Sequence, residues 1–492
     1  MYFVGVLKDS IIMSVGRLVA IVLASIASLI LVRKLPISDY AAYQMLTKRI
    51  YTYLMFPVTI ASYWAYRYLA QGVKGSFKTF MVFAVASSLA SFVLGAVQVY
   101  FMGFNIVTSI ILGMCVSLIV LYNGVLGVLT GTYPRMVSYS GVTRNLVYVG
   151  SIVVATYTFG LHLALVGTAC VVSLLVGIAM LMFSSASLLK EKLCRQCIRE
   201  WIRGGWLPML GWFAGFVANL DVLVVSTLAS ERIVAAFFAL TLVPRMVVET
   251  IVWGFGHLQA FVLKTYDIRS AVDASRPLTA LVAFTVGYTI ALPEQMAAFS
   301  GAKYLYAAIA LPFLVIPLLL YVLNDAVMKL VAGLDASRAS RPGMLLIDNV
   351  KSALYGAIVY IALLAMLVRV FHGVDDVILL ACWGVALLVL QLTTMVYRLA
   401  RLNIATRNIV LRRLILPAMA YTVVAYTASV LLGHNIYSTT FVENLMFAIS
   451  SMLKPLAVYT IIIVVVDSVA RRLVHRLLRI LHVACQTSKN NR

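Results

Sequence analysis

The sequence predicts an all-α polytopic membrane protein, and two observations are enough to say so. Apolar runs of about 20 residues, the length at which a helix crosses a hydrocarbon core, recur from end to end between short polar breaks. Only 11% of the 492 residues are charged while 63% are hydrophobic; a soluble chain of this length would carry about a quarter charged residues. A transmembrane barrel is excluded by pattern, because it would alternate polar and apolar residues in segments of about ten.

The runs place about fourteen spans, at 11–31, 42–69, 80–100, 106–129, 141–159, 164–183, 205–228, 233–262, 277–296, 304–332, 344–368, 377–397, 414–433 and 444–467. With that count, the even-numbered gaps and both termini share one side, and that side carries most of the 39 Lys and Arg residues. The opposite gaps hold only Arg33, Lys34, Arg232, Lys303 and Arg369. The positive-inside rule then puts both termini in the cytoplasm of a plasma-membrane protein. The net charge of +22 is therefore read as topology and contact with anionic lipids, with no nucleic-acid partner. The opening MYFVGVLKDS lacks the layout of a cleaved signal peptide, so the first span is expected to be retained. Of six cysteines, Cys194 and Cys197 form CRQC in an inner gap, a weak motif for metal or redox chemistry without a second pair. No disulfide is expected, since no two cysteines fall on the outer face.

The longest inner gap, SSASLLKEKLCRQCIREWIR at 184–203, is basic and amphipathic, and reads as an interfacial helix on the anionic leaflet linking two halves. An internal similarity supports halves. SDYAAYQMLT (38–47) and SERIVAAFFALT (230–241) both open on Ser and an acid after an outer gap, then give Ala-Ala-aromatic and a closing Leu-Thr. The expected domains are an N-lobe at 1–183 (spans 1–6), the linker, a C-lobe at 204–397 (spans 7–12), two appended spans at 398–467, and a basic tail at 468–492. Repeats with a site at their interface are common in secondary transporters.

A charge near a helix centre costs roughly 2.5–3.5 kcal/mol on insertion scales, so each needs a reason. Asp325 with Lys329, Asp348 with Lys351, and Arg245 with Glu249 lie three or four residues apart and can neutralise one another on one helix face. Lys454 and Arg67 are near enough to helix ends to snorkel, Arg67 among Tyr63, Trp64, Tyr66 and Tyr68. Lys48 and Arg49 differ: neither has an acid three or four residues away, and both sit about 10 Å into their span at about 1.5 Å per residue. Either they snorkel outward, or they face a wet cavity and hold an anion. Arg17 in span 1 and Arg245 in span 8 would add cations, and Pro57 and Pro244 would bend the neighbouring helices. Such a cluster suits a phosphate or pyrophosphate, which Arg grips with two-pronged hydrogen bonds. Asp221 and Glu249 are the acids able to carry a coupling H+ or Na+, or to serve as counter-charges.

Three segments in order resemble a known family. RKLPISDYAAYQ (33–44), NLDVLVVSTLASERIVAAF (219–237) and GAKYLYAAIALPFLVI (301–316) are similar to the span 2, span 7–8 and span 10 segments of polysaccharide-transport flippases. Pro36 and Ala41 depart from that pattern where it favours glycines. The resemblance implies the multidrug/oligosaccharidyl-lipid/polysaccharide exporter fold, with two six-helix lobes in a V around a central cavity plus two C-terminal helices. It also implies alternating-access transfer of a polyprenyl-(pyro)phosphate-linked oligosaccharide between leaflets, for cell-surface polysaccharide or glycoconjugate synthesis, with glycan-assembly enzymes as partners. In that reading Arg17, Lys48, Arg49 and Arg245 bind the phosphate. The alternative is a multidrug or metabolite antiporter of the same fold. An enzyme is disfavoured: no HExxH, Walker A, GxSxG or zinc spacing occurs, and neither a cofactor nor a metal is expected.

Overall fold

A computed structural model describes residues 54–101, 103–256, 258–299, 302–337, 342–436, 438, 441–472 and 475, with 12–13, 15–24, 26–27, 30–31, 35 and 43 nearer the start. The described residues form helices, turns and loops, with no strand among them. Among the described residues, eight helices are long and apolar enough to cross a membrane: Ser76–Phe101, Ile106–Leu129, Leu163–Ser184, Tyr304–Leu334, Met344–Val370, Asp376–Arg401, Ile404–Leu432 and Met446–Val466. Each falls on an expected span. The chain divides into two compact units.

The first unit comprises Met1–Phe216, Val252–Asp267 and Met328–Leu354. It holds α1 (Val15–Ala24), α2 (Phe56–Ala70), α3 (Ser76–Phe101), α4 (Ile106–Leu129), α5 (Pro134–Thr158), α6 (Leu163–Ser184) and α7 (Arg195–Gly204). Small residues let α3 and α4 approach closely, as membrane helices do where packing has to replace hydrophobic drive. A Cβ on Gly113 would sit 2.7 Å from the Ala96 Cβ, and Ser88 and Ser117 share a 2.7 Å hydroxyl contact between the same helices. The opposite face of α3 exposes Leu89, Val93, Leu94 and Val97, an apolar surface that on a spanning helix meets lipid. Pro57 stands in the first turn of α2, where its missing N–H leaves no bond broken, so it starts this helix and does not kink it.

Three expectations change in this unit. Arg67 does not snorkel: it is fully buried, and its Nη1 donates to the Ala332 carbonyl at 2.7 Å. Part of the linker's apolar face packs on protein, while Leu193 and Ile202 stay exposed. Cys197 and Trp201 of α7 are buried, with Trp201 against Tyr68 and Phe83 at 6.0 and 6.3 Å, while Arg195, Arg199 and Arg203 remain exposed. Trp64 donates its indole N–H to the Gly204 carbonyl at 3.1 Å. Cys194 and Cys197 are joined as a disulfide, which the outer-face argument did not anticipate; a three-residue separation on one helical turn brings them together without any partner loop.

The second unit comprises Val217–Ile251, Ile268–Val327 and Tyr355–Arg492. It takes in α9 (Asp221–Leu228), α12 (Ile268–Ala291), α15 (Asp376–Arg401) and α17 (Phe441–Val466), and α16 (Ile404–Leu432). It also includes most of α10 (Glu231–Gly254), α13 (Leu311–Leu334) and α14 (Met344–Val370). The expected span 205–228 is two helices, α8 (Trp206–Ala218) and α9, and 233–262 is α10 followed by α11 (Leu258–Thr265) after a turn at Phe255–Gly256. Within this unit α12 packs closely on α16, where a Cβ on Gly287 would lie 2.7 Å from the Ala425 Cβ. Ion pairs Arg276–Asp467 at 2.7 Å and Arg413–Asp273 at 3.0 Å neutralise charges from distant parts of the sequence. Arg398, which reads as a loop cation, is buried; it donates to the Asn324 side chain, whose amide in turn donates to Gln391 and Thr394 at 3.0 and 2.7 Å.

Candidate functional site: a basic pocket in the first unit

Arg17, the first cation singled out by the sequence, lines a partly open cavity of about 50 Å³ with Tyr122, Asn123, Ser138, Arg144 and Asn145. The rest of the lining is apolar or glycine, and no Asp or Glu contributes. Two side chains hold α1 against α5: Ser138 donates to the Ile12 carbonyl at 3.0 Å and Asn145 to the Ala20 carbonyl at 3.1 Å. Gly16 makes the approach possible, since a Cβ there would sit 1.7 Å from the Ser138 hydroxyl oxygen.

Arg144 is the residue that reading by spacing missed. Its guanidinium carbon lies 4.9 Å from the centre of the Tyr122 ring, a cation–π stack that orients the planar fork. The stack is made by fit: a Cβ on Gly177 would stand 2.8 Å from that ring and 3.3 Å from the Arg144 Cβ. Ser140 completes the support, donating to the Gly177 carbonyl at 2.9 Å with its oxygen 3.3 Å from the Tyr122 hydroxyl. The buried Nε–H of Arg144 meets no acceptor. A buried donor without an acceptor is unstable by itself and points to a ligand or water. The volume suits about three or four waters, or one tetrahedral oxyanion. The unmet Arg144 donor, in a lining that holds a second guanidinium and, among the described residues, no Asp or Glu, favours the anion.

Arg245 and Glu249 belong to the second unit, one turn apart on α10, with Arg245 Nε 3.4 Å from a Glu249 oxygen and both about half exposed, at 46% and 47%. Asp221, also in that unit, begins α9. Its Oδ2 accepts from the Tyr360 hydroxyl at 2.8 Å and from the Trp383 indole at 3.3 Å. Trp383 also donates to the Tyr360 oxygen at 2.9 Å and stacks on Phe237 at 3.9 Å. An acid with two directional donors and a packed aromatic wall is held in one geometry; Tyr360 and Trp383 are invisible to local spacing because they lie on α14 and α15. Lys48 and Arg49 lie outside the described residues. No group of three His, Cys, Asp or Glu side chains able to hold a metal occurs among the described residues.

No family model and no curated protein matches the chain. Solved structures do. A MATE transporter in the straight conformation matches at TM-score 0.65 with 12% identity, over 80% of this chain and 95% of that one. An outward-facing multidrug resistance MATE family transporter of the MOP superfamily matches at 0.61 with 13% identity, over 85% and 96%. A MOP superfamily transporter from Pyrococcus furiosus, described as having a binding pocket of reverse polarity that suggests a different function, matches at 0.60 with 14% identity, over 82% and 96%. At such identities the likeness speaks for fold, and with the apolar helices it makes this chain a multi-pass membrane protein with a MATE-like fold.

Proposed function

We propose that the protein is a transporter that moves a polyprenyl-(pyro)phosphate-linked oligosaccharide between membrane leaflets by alternating access. The observation that carries this is a cavity whose lining holds Arg17 and Arg144 and, among the described residues, no Asp or Glu, a basic environment that suits a phosphate and disfavours an organic cation. The pocket of reverse polarity described for the Pyrococcus furiosus neighbour is a precedent for a change of cargo on this fold. Lys48 and Arg49 extend the basic surface in this reading, the two lobes at 1–183 and 204–397 provide the alternating access, and Asp221 takes the coupling H+ or Na+.

The second reading, a multidrug or metabolite antiporter, is favoured by the multidrug neighbour and by Asp221, which is placed to exchange a cation. Reconstitution in proteoliposomes separates the two. A fluorescent polyprenyl-pyrophosphate oligosaccharide is expected to change leaflets with the wild type and to slow markedly with Arg17→Ala/Arg144→Ala. Exchange of a cationic drug against protons, with the lipid left in place, would replace the first reading with the second.

A further inference from the structure

The end of α2 makes a set of contacts that the cargo-binding reading does not use. Tyr66 donates its hydroxyl to the Gly256 carbonyl at 2.9 Å and accepts from the Ala260 N–H at 3.1 Å. Arg67 donates to the carbonyls of Ala332, at 2.7 Å, and Asp335, at the C-terminal end of α13. Gln71 donates to the Ala336 carbonyl at 3.0 Å. Three side chains on neighbouring turns thus tie α2 to two segments 190 to 268 residues away, all within the first unit.

We propose that Arg67 is the latch of a reversible seam that closes the transport path at the end of the bundle bearing the basic loops. Three features distinguish a latch from a permanent joint. Where α2 meets the 256–263 segment the apolar contact is small, consisting of Ala70, Ala260 and Leu263 with Tyr66 alongside, so polar bonds carry much of the strength there, while Ala332 and Leu346 belong to the larger core that includes Trp64, Tyr68 and Leu69. Arg67 is fully buried yet its Nε–H has no acceptor; on opening, water satisfies that donor and solvates the charge, which offsets the lost carbonyl bonds. The C-terminal end of a helix attracts a cation through its dipole and unpaired carbonyls, so the closed state is specific as well as reversible.

The seam is also the wall of a cavity. An open space of about 360 Å³ is lined by Thr59, Ser62, Tyr63, Gln259 and Lys329 together with Tyr66 and Gly256, the pair whose hydrogen bond belongs to the seam. Lys329 reinforces the upper edge by donating to the Val252 carbonyl at 2.9 Å. Parting α2 from Gly256 and from the α13 end therefore widens this space at the basic-loop end.

The inference rests on the transporter reading but its test needs no cargo. Full-length protein carrying Ser62→Cys as a reporter is placed in vesicles, and a membrane-impermeant maleimide is applied on the basic-loop side, with background taken from the chain lacking the reporter. Arg67→Gln is expected to raise the labelling rate by about tenfold or more, the effect of removing charge-assisted hydrogen bonds from one of two states; Tyr66→Phe raises it less. Cross-linking Gln71→Cys to Ala336→Cys is expected to suppress labelling, and cleavage of the linker to restore it. Unchanged labelling in a well-inserted Arg67→Gln, or undiminished labelling in the cross-linked chain, overturns the latch. Should Arg67→Gln fail to insert, Tyr66→Phe and the cross-link decide alone.

Discussion

Arg144 shows what a single residue can contribute and why it was hard to read. Its span is apolar and no Asp or Glu lies within four residues of it, so along the chain it resembles any tolerated cation near a helix end. Its meaning comes from Tyr122, 22 residues earlier, and from Arg17, which lies across the same cavity lining. The consequence is measurable. Losing a charged hydrogen bond of about 1.5–3 kcal/mol should weaken headgroup binding roughly 10- to 100-fold in Arg144→Ala. Arg144→Lys should recover only part of that, because a point charge cannot reproduce the fork or stack flat on the ring. Titration with a short-chain polyprenyl pyrophosphate checks both, and wild-type affinity in Arg144→Ala would remove the anion subsite. Asp221→Asn makes the complementary prediction. The amide oxygen can still accept from Tyr360 and Trp383, so the chain folds, while transport should lose its dependence on an applied proton or sodium gradient.

At the scale of elements, the helices were legible because each spanning run announces itself by length and by hydropathy; Ile106–Leu129 and Leu163–Ser184 match expectation to within a residue. The breaks were not legible. Near the turn the run 205–228 is apolar apart from Asn219 and Asp221, and two polar residues in a span can be read as functional charges as easily as a break between α8 and α9. The same blindness applies to Arg67 and the α7 helix, which looked interfacial because the sequence shows an amphipathic face and never what covers it. Close packing is readable only after the fact, from glycines. A Cβ at position 287 would lie 2.7 Å from the Ala425 Cβ and from the Thr422 carbonyl oxygen, and backbone cannot move aside as a flexible side chain does. Gly287→Val should therefore destabilise the α12–α16 pair by about 1–3 kcal/mol, read as a lower melting temperature in detergent. Gly127→Val, which meets nothing within 4 Å, should melt near the wild type.

For the whole molecule, the fold and the charge pattern constrain different things. Neighbours of 12–14% identity share the architecture, so the architecture tolerates nearly complete replacement of its surface and cavity residues, and function has to be argued from the site. The charge pattern argues orientation. Lys190, Lys192, Arg195, Arg199 and Arg203 crowd one connection, whereas the connection at His372–Asp375 between α14 and α15 carries no Lys or Arg. If cations stay on the cytoplasmic side, the chain must cross the membrane an odd number of times between the two connections. Five crossings, by the expected spans at 205–228, 233–262, 277–296, 304–332 and 344–368, satisfy that parity. Lys192 and Val374 are both exposed, so Lys192→Cys and Val374→Cys can report sidedness without disturbing the core. In intact cells an impermeant thiol reagent should label Val374→Cys and spare Lys192→Cys, and inverted vesicles should reverse the pattern. Labelling of both from one side would mean that one apolar run, such as the one split into α8 and α9, enters the membrane and returns.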